Sequence, residues 1–174
     1  MTNVTLAKEE LSLQQKLDQL AEVAVNVGLG LQAGQELVMT APLEALPLAR
    51  RITEKAYRAG ASLVTTLYSD DEAALMRYRL APNESFDHAA KWLYEGMGAA
   101  FKSGAARLAI AGANPLLLSS EDPDKVSRAN RAVSKAYRPA LELSRDMRST
   151  GQSSRARHRR GPLPCFLTIH PTRL

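Results

Sequence analysis

Residues 34–72, GQELVMTAPLEALPLARRITEKAYRAGASLVTTLYSDDE, constrain the fold more tightly than any other stretch. Glu36–Ala41 is a short β-favouring apolar run opened by the turn pair Gly34-Gln35, which predicts a strand. From Glu44 the period changes. Ala45, Leu48, Ala49, Ile52, Ala56 and Ala59 recur at i, i+3 and i+4, with Arg50, Arg51, Glu54, Lys55 and Arg58 opposite them, so a helix with one apolar stripe is expected. Gly60 ends it, since glycine enters the left-handed conformation without a Cβ penalty. Leu63–Tyr68 is then a second strand, closed by Ser69-Asp70-Asp71-Glu72. Strand, helix and strand in so short a span predict a right-handed crossover, and hence a parallel sheet.

Neighbouring stretches extend this pattern. Ser12 is placed to cap a helix running to about Val27, with Leu13, Leu17, Leu20, Ala24 and Val27 on its stripe and Gly28 at its end. Asp71–Leu80 is expected as a short helix capped by Ser69 or Asp70, broken at Ala81-Pro82-Asn83. A further helix is expected from Ser85 or Asp87, with Ala89, Trp92, Leu93, Met97, Ala100 and Phe101 inward and Gly104 beyond its end. Arg107–Gly112 reads as a third strand, and its approach (helix, glycine, small residues, strand) repeats the one at Gly60. Asp122-Pro123 opens a last helix carrying Val126, Ala129, Val133 and Ala136, expected to end near Pro139. The fold class is α/β: a three-layer Rossmann-like domain with a mostly parallel sheet over residues 11–148. Residues 149–174 form a basic tail, without period 2 or 3.6 from Ser153 onward, and are expected to be disordered.

Charge separates the same two regions. Residues 145–174 hold seven arginines and one carboxylate, for +6, while residues 1–144 hold 16 basic and 17 acidic groups, for −1. The domain is therefore neutral, and basicity gives no ground for nucleic-acid binding by its folded part. Association through Arg155-Ala-Arg157-His158-Arg159-Arg160 is a possible phosphate grip, but aromatic interleaving is missing. One cysteine, Cys165, excludes an internal disulfide and fits a reducing cytoplasm. No apolar run approaches the ~18 residues of a membrane span, and Met1–Glu10 has the features of neither part of a secretory signal.

Several residues invite a chemical role. Asp70-Asp71-Glu72 follows a strand's carboxyl end, where open α/β sheets bind ligands, and three carboxylates are oxygen donors for a divalent cation. The plainer reading is a capped helix start whose acids complement the dipole, because consecutive side chains do not converge. His88 has no partner at metal spacing. His158, Cys165 and His170 lack the paired spacing of zinc sites. Gly28-Leu-Gly30-Leu-Gln-Ala-Gly34 is like a dinucleotide fingerprint, yet it follows a helix and opens a strand, so a simple turn is expected. No Walker loop, His-Glu-x-x-His or paired-cysteine motif occurs.

Val27-Gly28-x-x-x-Gln32-x-Gly34-Gln35, Ala41-Pro42-x-Glu44-x-x-x-Leu48-x-Arg50, Ala56-Tyr57-x-Ala59-Gly60-Ala61 and Asp70-Asp71-Glu72 occur in an order and spacing that carry more than any one of them. Together they resemble the N-terminal domain of the thermophilic-type metallo-aminopeptidases, the aminopeptidase T and aminopeptidase S family, from roughly Lys16 to Gln152. The resemblance implies a cytoplasmic, homodimeric exopeptidase that releases N-terminal amino acids from peptides with a divalent metal (cobalt, zinc or magnesium). In such enzymes the metal activates water and polarises the scissile carbonyl. The family's Glu, His and Asp ligands belong to a second domain with no counterpart here. No catalytic, metal-binding or cofactor-binding residue is therefore assigned, and the chain is expected to be inactive alone. The family continues past Gln152 as an apolar strand. The Arg/Pro-rich tail in its place is read as out-of-frame translation of a GC-rich gene with early termination, which sequencing the parental locus tests. A non-catalytic module that assembles with full-length subunits is the alternative role.

Overall fold

The computed structural model describes residues 12–112, 114, 116–146 and 165–168. Four parallel strands, β1 (Glu36–Pro42), β2 (Leu63–Ser69), β3 (Ala106–Ala111) and β4 (Cys165–Thr168), form one sheet in the order β2-β1-β3-β4. Glu36 lies opposite Leu63 and Pro42 opposite Ser69, while Leu37 to Thr40 pair with Ala106 to Ala109 on the other side. β1 is thus central, and it is buried almost throughout, as a strand covered on both faces must be.

The chain winds outward from β1 through α2 (Leu46–Arg58) to β2, then returns across β1 to reach β3. With one hand of crossover, reversing direction puts the next helices on the opposite face. α1 (Leu13–Val23), its continuation Ala24–Leu29 and α2 cover one face, against Leu37, Met39, Ala41, Leu108 and Ile110. α4 (Lys91–Lys102) and α5 (Pro123–Asp146) cover the other, where Val38, Met97, Phe101 and Ala140 meet. The three-layer arrangement is the expected one. The stripe read on α2 is the buried one, with Leu48, Ala49, Ile52 and Ala56 inside; Leu48 and Ile52 alone contribute about 1.5–3 kcal/mol each.

The two helix–strand junctions repeat down to their hydrogen bonds. At the first, the Ala61 and Gly60 N–H groups donate to Ala56 O and Tyr57 O, both at 3.0 Å. At the second, Ala105 and Gly104 donate to Ala100 O and Phe101 O, also at 3.0 Å. Both glycines are left-handed, at φ 93° and 95°. This is the glycine-closed end that satisfies a helix's last carbonyls. The Gln35 amide ties the junctions together by donating to Gly104 O at 2.8 Å. Gly28–Gly34 follows a helix and leads into β1, a helix-to-strand turn as expected.

The structure departs from expectation in five places. The first helix is α-helical only to Val23; a capping box between Ser12 and Gln15 starts it, and a π-helical turn, Ala24–Leu29, carries the chain on to left-handed Gly30. The wider turn rotates the stripe, so Val25 and Leu29 are buried while Val27 is 77% exposed. α4 begins at Lys91 rather than at Ser85 or Asp87, because Asn83–Asp87 forms a 3₁₀ turn that drives Phe86 into a cluster with Tyr78 and Ala129. Trp92, expected inside, is 74% exposed, since on a helix of 3.6 residues per turn it lies opposite the arc that Met97, Gly98 and Phe101 bury. α5 runs through Pro139 to Asp146. Proline removes one ladder bond, but Tyr137 against Tyr94 and Ala140 in the core on either side hold the helix on. Finally, Cys165–Thr168 pairs with β3, Leu108 opposite Cys165 through Ala111 opposite Thr168, where no element was expected. An apolar, β-favouring run meets the open edge of β3 there. The rest of the expected disordered tail lies outside the described residues.

Candidate functional site

Winding reverses at β1, so the crevice favoured by ligands in open α/β sheets lies at the carboxyl ends of β1 and β3. Pro42 and Ser69 end β1 and β2 side by side, which brings Glu44 and Asp70-Asp71-Glu72 to the same edge. Asp70 is committed there to local structure. Its Oδ1 accepts from the Glu72 and Ala73 N–H groups at 2.9 and 3.3 Å, capping α3 (Asp71–Leu80). Asp71 and Glu72 fill the first turn of that helix, where they favour its dipole. Among the described residues no group of three or more His, Cys, Asp or Glu is arranged to hold a metal ion. The donors at this edge do not fit a divalent metal.

His88 follows the 3₁₀ turn, and its carbonyl accepts from Arg77 Nη2 at 3.0 Å. Its side chain borders a different feature, an open groove of about 780 Å³ between α4 and α5. The two helices run parallel: Arg128 of α5 binds Asp87 in the 3₁₀ turn ahead of α4, then the Tyr94 and Tyr137 rings meet at 5.0 Å, and Gly98 closely approaches Ala140. A methyl group on Gly98 would stand 3.4 Å from Ala140 Cβ. The groove is lined by Tyr94, Gly98, Ala99, Ala136, Pro139 and Leu143, with Lys91, Lys102 and Lys135 around it.

Arg128 pins one end of this groove. Its Nε donates to Asp87 Oδ1 at 3.0 Å, its Nη1 to Asn83 Oδ1 at 3.0 Å and its Nη2 to Asn83 O at 3.1 Å. The hydrogen bond from Arg128 holds the Asp87 carboxyl below its ordinary range, outweighing the opposing effect of desolvation. Tyr94 is shifted up, first by burial and then by Tyr137, with Arg77 opposing. Tyr137 in turn accepts from Arg107 Nε at 3.0 Å. The sequence places Ala136 and Pro139 on a helix but does not bring these groove residues together as a site. The available signal was Lys91 and Lys102, eleven residues or three helical turns apart on one face. His158, His170 and Arg155–Arg160 lie outside the described residues, and Cys165 opens β4.

Residues 13–150 match the family model described as thermophilic metalloprotease (M29). The chain belongs to the M29 family. Curated relatives include aminopeptidase T of Thermus thermophilus, 52% identical over 131 residues, which cover 75% of this chain and 32% of that protein. Aminopeptidase 2 of Geobacillus stearothermophilus is 37% identical over 136 residues, covering 76% and 33%. AmpS of Bacillus subtilis is 37% identical over 125 residues, covering 72% and 30%. The solved structure of wild-type AmpT from Thermus thermophilus superposes with a TM-score of 0.73, over 76% of this chain and 33% of that one. This M29 chain spans about a third of the length of the curated relatives it matches. No helix among the described residues is long and apolar enough to cross a membrane.

Proposed function

We propose that residues 11–148 are the N-terminal domain of a cytoplasmic, homodimeric aminopeptidase that releases N-terminal amino acids from peptides with cobalt, zinc or magnesium, and that this chain has no catalytic, metal-binding or cofactor-binding residue of its own. The observation that carries the reading is the 52% identity to aminopeptidase T confined to about a third of that protein. The spending of Asp70 on a helix cap supports placing the metal ligands elsewhere. The domain's part is then to present a rigid wall beside the reacting centre, not to touch the scissile bond.

The test is hydrolysis of leucine p-nitroanilide by the purified chain with added cobalt or zinc. No turnover beyond the metal-only blank is expected, and turnover abolished by EDTA would overturn the reading. A second role, assembly with full-length subunits, is favoured by the open outer edge of β2; co-purification with an intact M29 aminopeptidase is its expected signature. Nucleic-acid association through residues 153–174 has no support from the described residues.

A further inference from the structure

We infer that the groove between α4 and α5 is a docking site for an acidic amphipathic helix of a partner protein. Its floor is made of small and apolar groups, Gly98, Ala99, Ala136 and Leu143 among them, so that side chains or a backbone approach closely. Its rim is cationic. Lys91, Lys102 and Lys135 all border the groove and are without an ion-pair partner among the described residues. The carboxylates nearby do not cancel them: Asp87 is already held by Arg128, which leaves Glu95.

The placement of these cations selects the occupant. Lys91 and Lys102 begin and end α4, so they stand about 16 Å apart along the helix axis, with Gly98, Ala99 and the carboxylate of Glu95 between them on the groove's lining. A fatty acid has a carboxylate at one end only. A helical segment of about three turns, with carboxylates near both ends and apolar side chains at i, i+3, i+4 and i+7, meets both lysines and the floor together. The groove's 780 Å³ is of the size that takes such a row of side chains.

The experiment uses the full chain and a fluorescein-labelled helical 16-mer with leucines on one face and paired glutamates at each end, followed by anisotropy. Saturable binding is expected. It should weaken by about tenfold when the probe's glutamates become glutamines, and similarly in the Lys91→Glu/Lys102→Glu chain. The lysines are exposed side chains, so circular dichroism should report an unchanged fold. Ala136→Arg, which fills the floor without removing a cation, should also abolish binding. Equal affinity of the two probes overturns the inference. So does undiminished binding by the charge-reversed chain, which would assign the signal to the arginine-rich tail. Binding of phosphatidylglycerol vesicles without binding of the peptide overturns it equally.

Discussion

Gly60 and Gly104 occupy equivalent junctions and share the same left-handed backbone, yet they are not equally replaceable. A Cβ at Gly104 meets nothing within 4 Å, whereas at Gly60 it would lie 3.1 Å from Ala33 Cβ and 3.2 Å from Ala33 Cα. That segment cannot easily retreat, because Gly34 N–H donates to Gly60 O at 2.7 Å. Gly104→Ala should therefore lose about 1 kcal/mol, from conformation alone, and Gly60→Ala about 2–3 kcal/mol. Urea midpoints at constant m-value compare the two; equal losses would mean the Ala33 contact counts for nothing. At Asp87 the arginine hydrogen bond lowers the folded pKa, with His88 and Arg131 acting in the same direction. The stabilisation is therefore complete above the unfolded value, about 4 for aspartate, and is lost as pH falls through the depressed folded value. Wild type should exceed Asp87→Asn in stability at neutral pH, with the gap closing below about pH 4. A gap that stayed constant down to acid would rule out the Arg128 pair as its source.

Among the elements, β2 is an edge strand of the sheet, bonded only to β1. Its sequence, Leu63-Val64-Thr65-Thr66-Leu67-Tyr68-Ser69, carries neither charge nor proline, the usual defences against pairing with another chain. Tyr57 supplies a partial substitute, because its hydroxyl accepts the outward Val64 N–H at 3.1 Å. Tyr57→Phe should cost only about 0.5–1 kcal/mol, since water can replace the acceptor. It should raise light scattering on concentration more than that loss explains, and unchanged scattering would show the edge is protected by other means. Elements of regular period were legible in the sequence. The α2 stripe and both glycine junctions followed from spacing, because single-period helices and left-handed turns declare themselves in residue type. The π turn after Val23 was not legible, because a widened turn has no propensity signature and is set by how Val25 and Leu29 pack. Pro139 misled for the opposite reason: a strong local breaker yielded to the contacts of Tyr137 and Ala140.

For the molecule as a whole, layering was legible and the groove was not. A parallel sheet announces helices on both faces, but the space left between two of those helices depends on Gly98 meeting Ala140 across 42 positions of sequence. The carboxylates at Asp70-Asp71-Glu72 were readable both as donors and as a helix start, and the geometry realises the helix start. The proposed division of labour makes a prediction at this scale. Joining residues 11–148 to the remaining two-thirds of Thermus thermophilus aminopeptidase T should give a metal-dependent, EDTA-sensitive peptidase, while each part alone stays inactive. A soluble, metal-loaded but inert chimera would count against the domain being interchangeable with that relative's. The outward turn of Trp92 has a practical consequence for all such measurements. It is the sole indole in the chain and stands in water while the protein is native. Its emission therefore already resembles that of an unfolded polypeptide, and denaturation is better followed through the amide dichroism or through the enclosed phenol of Tyr78. The same indole, one residue along α4 from Lys91, remains a ready quenching reporter for molecules arriving at that helix.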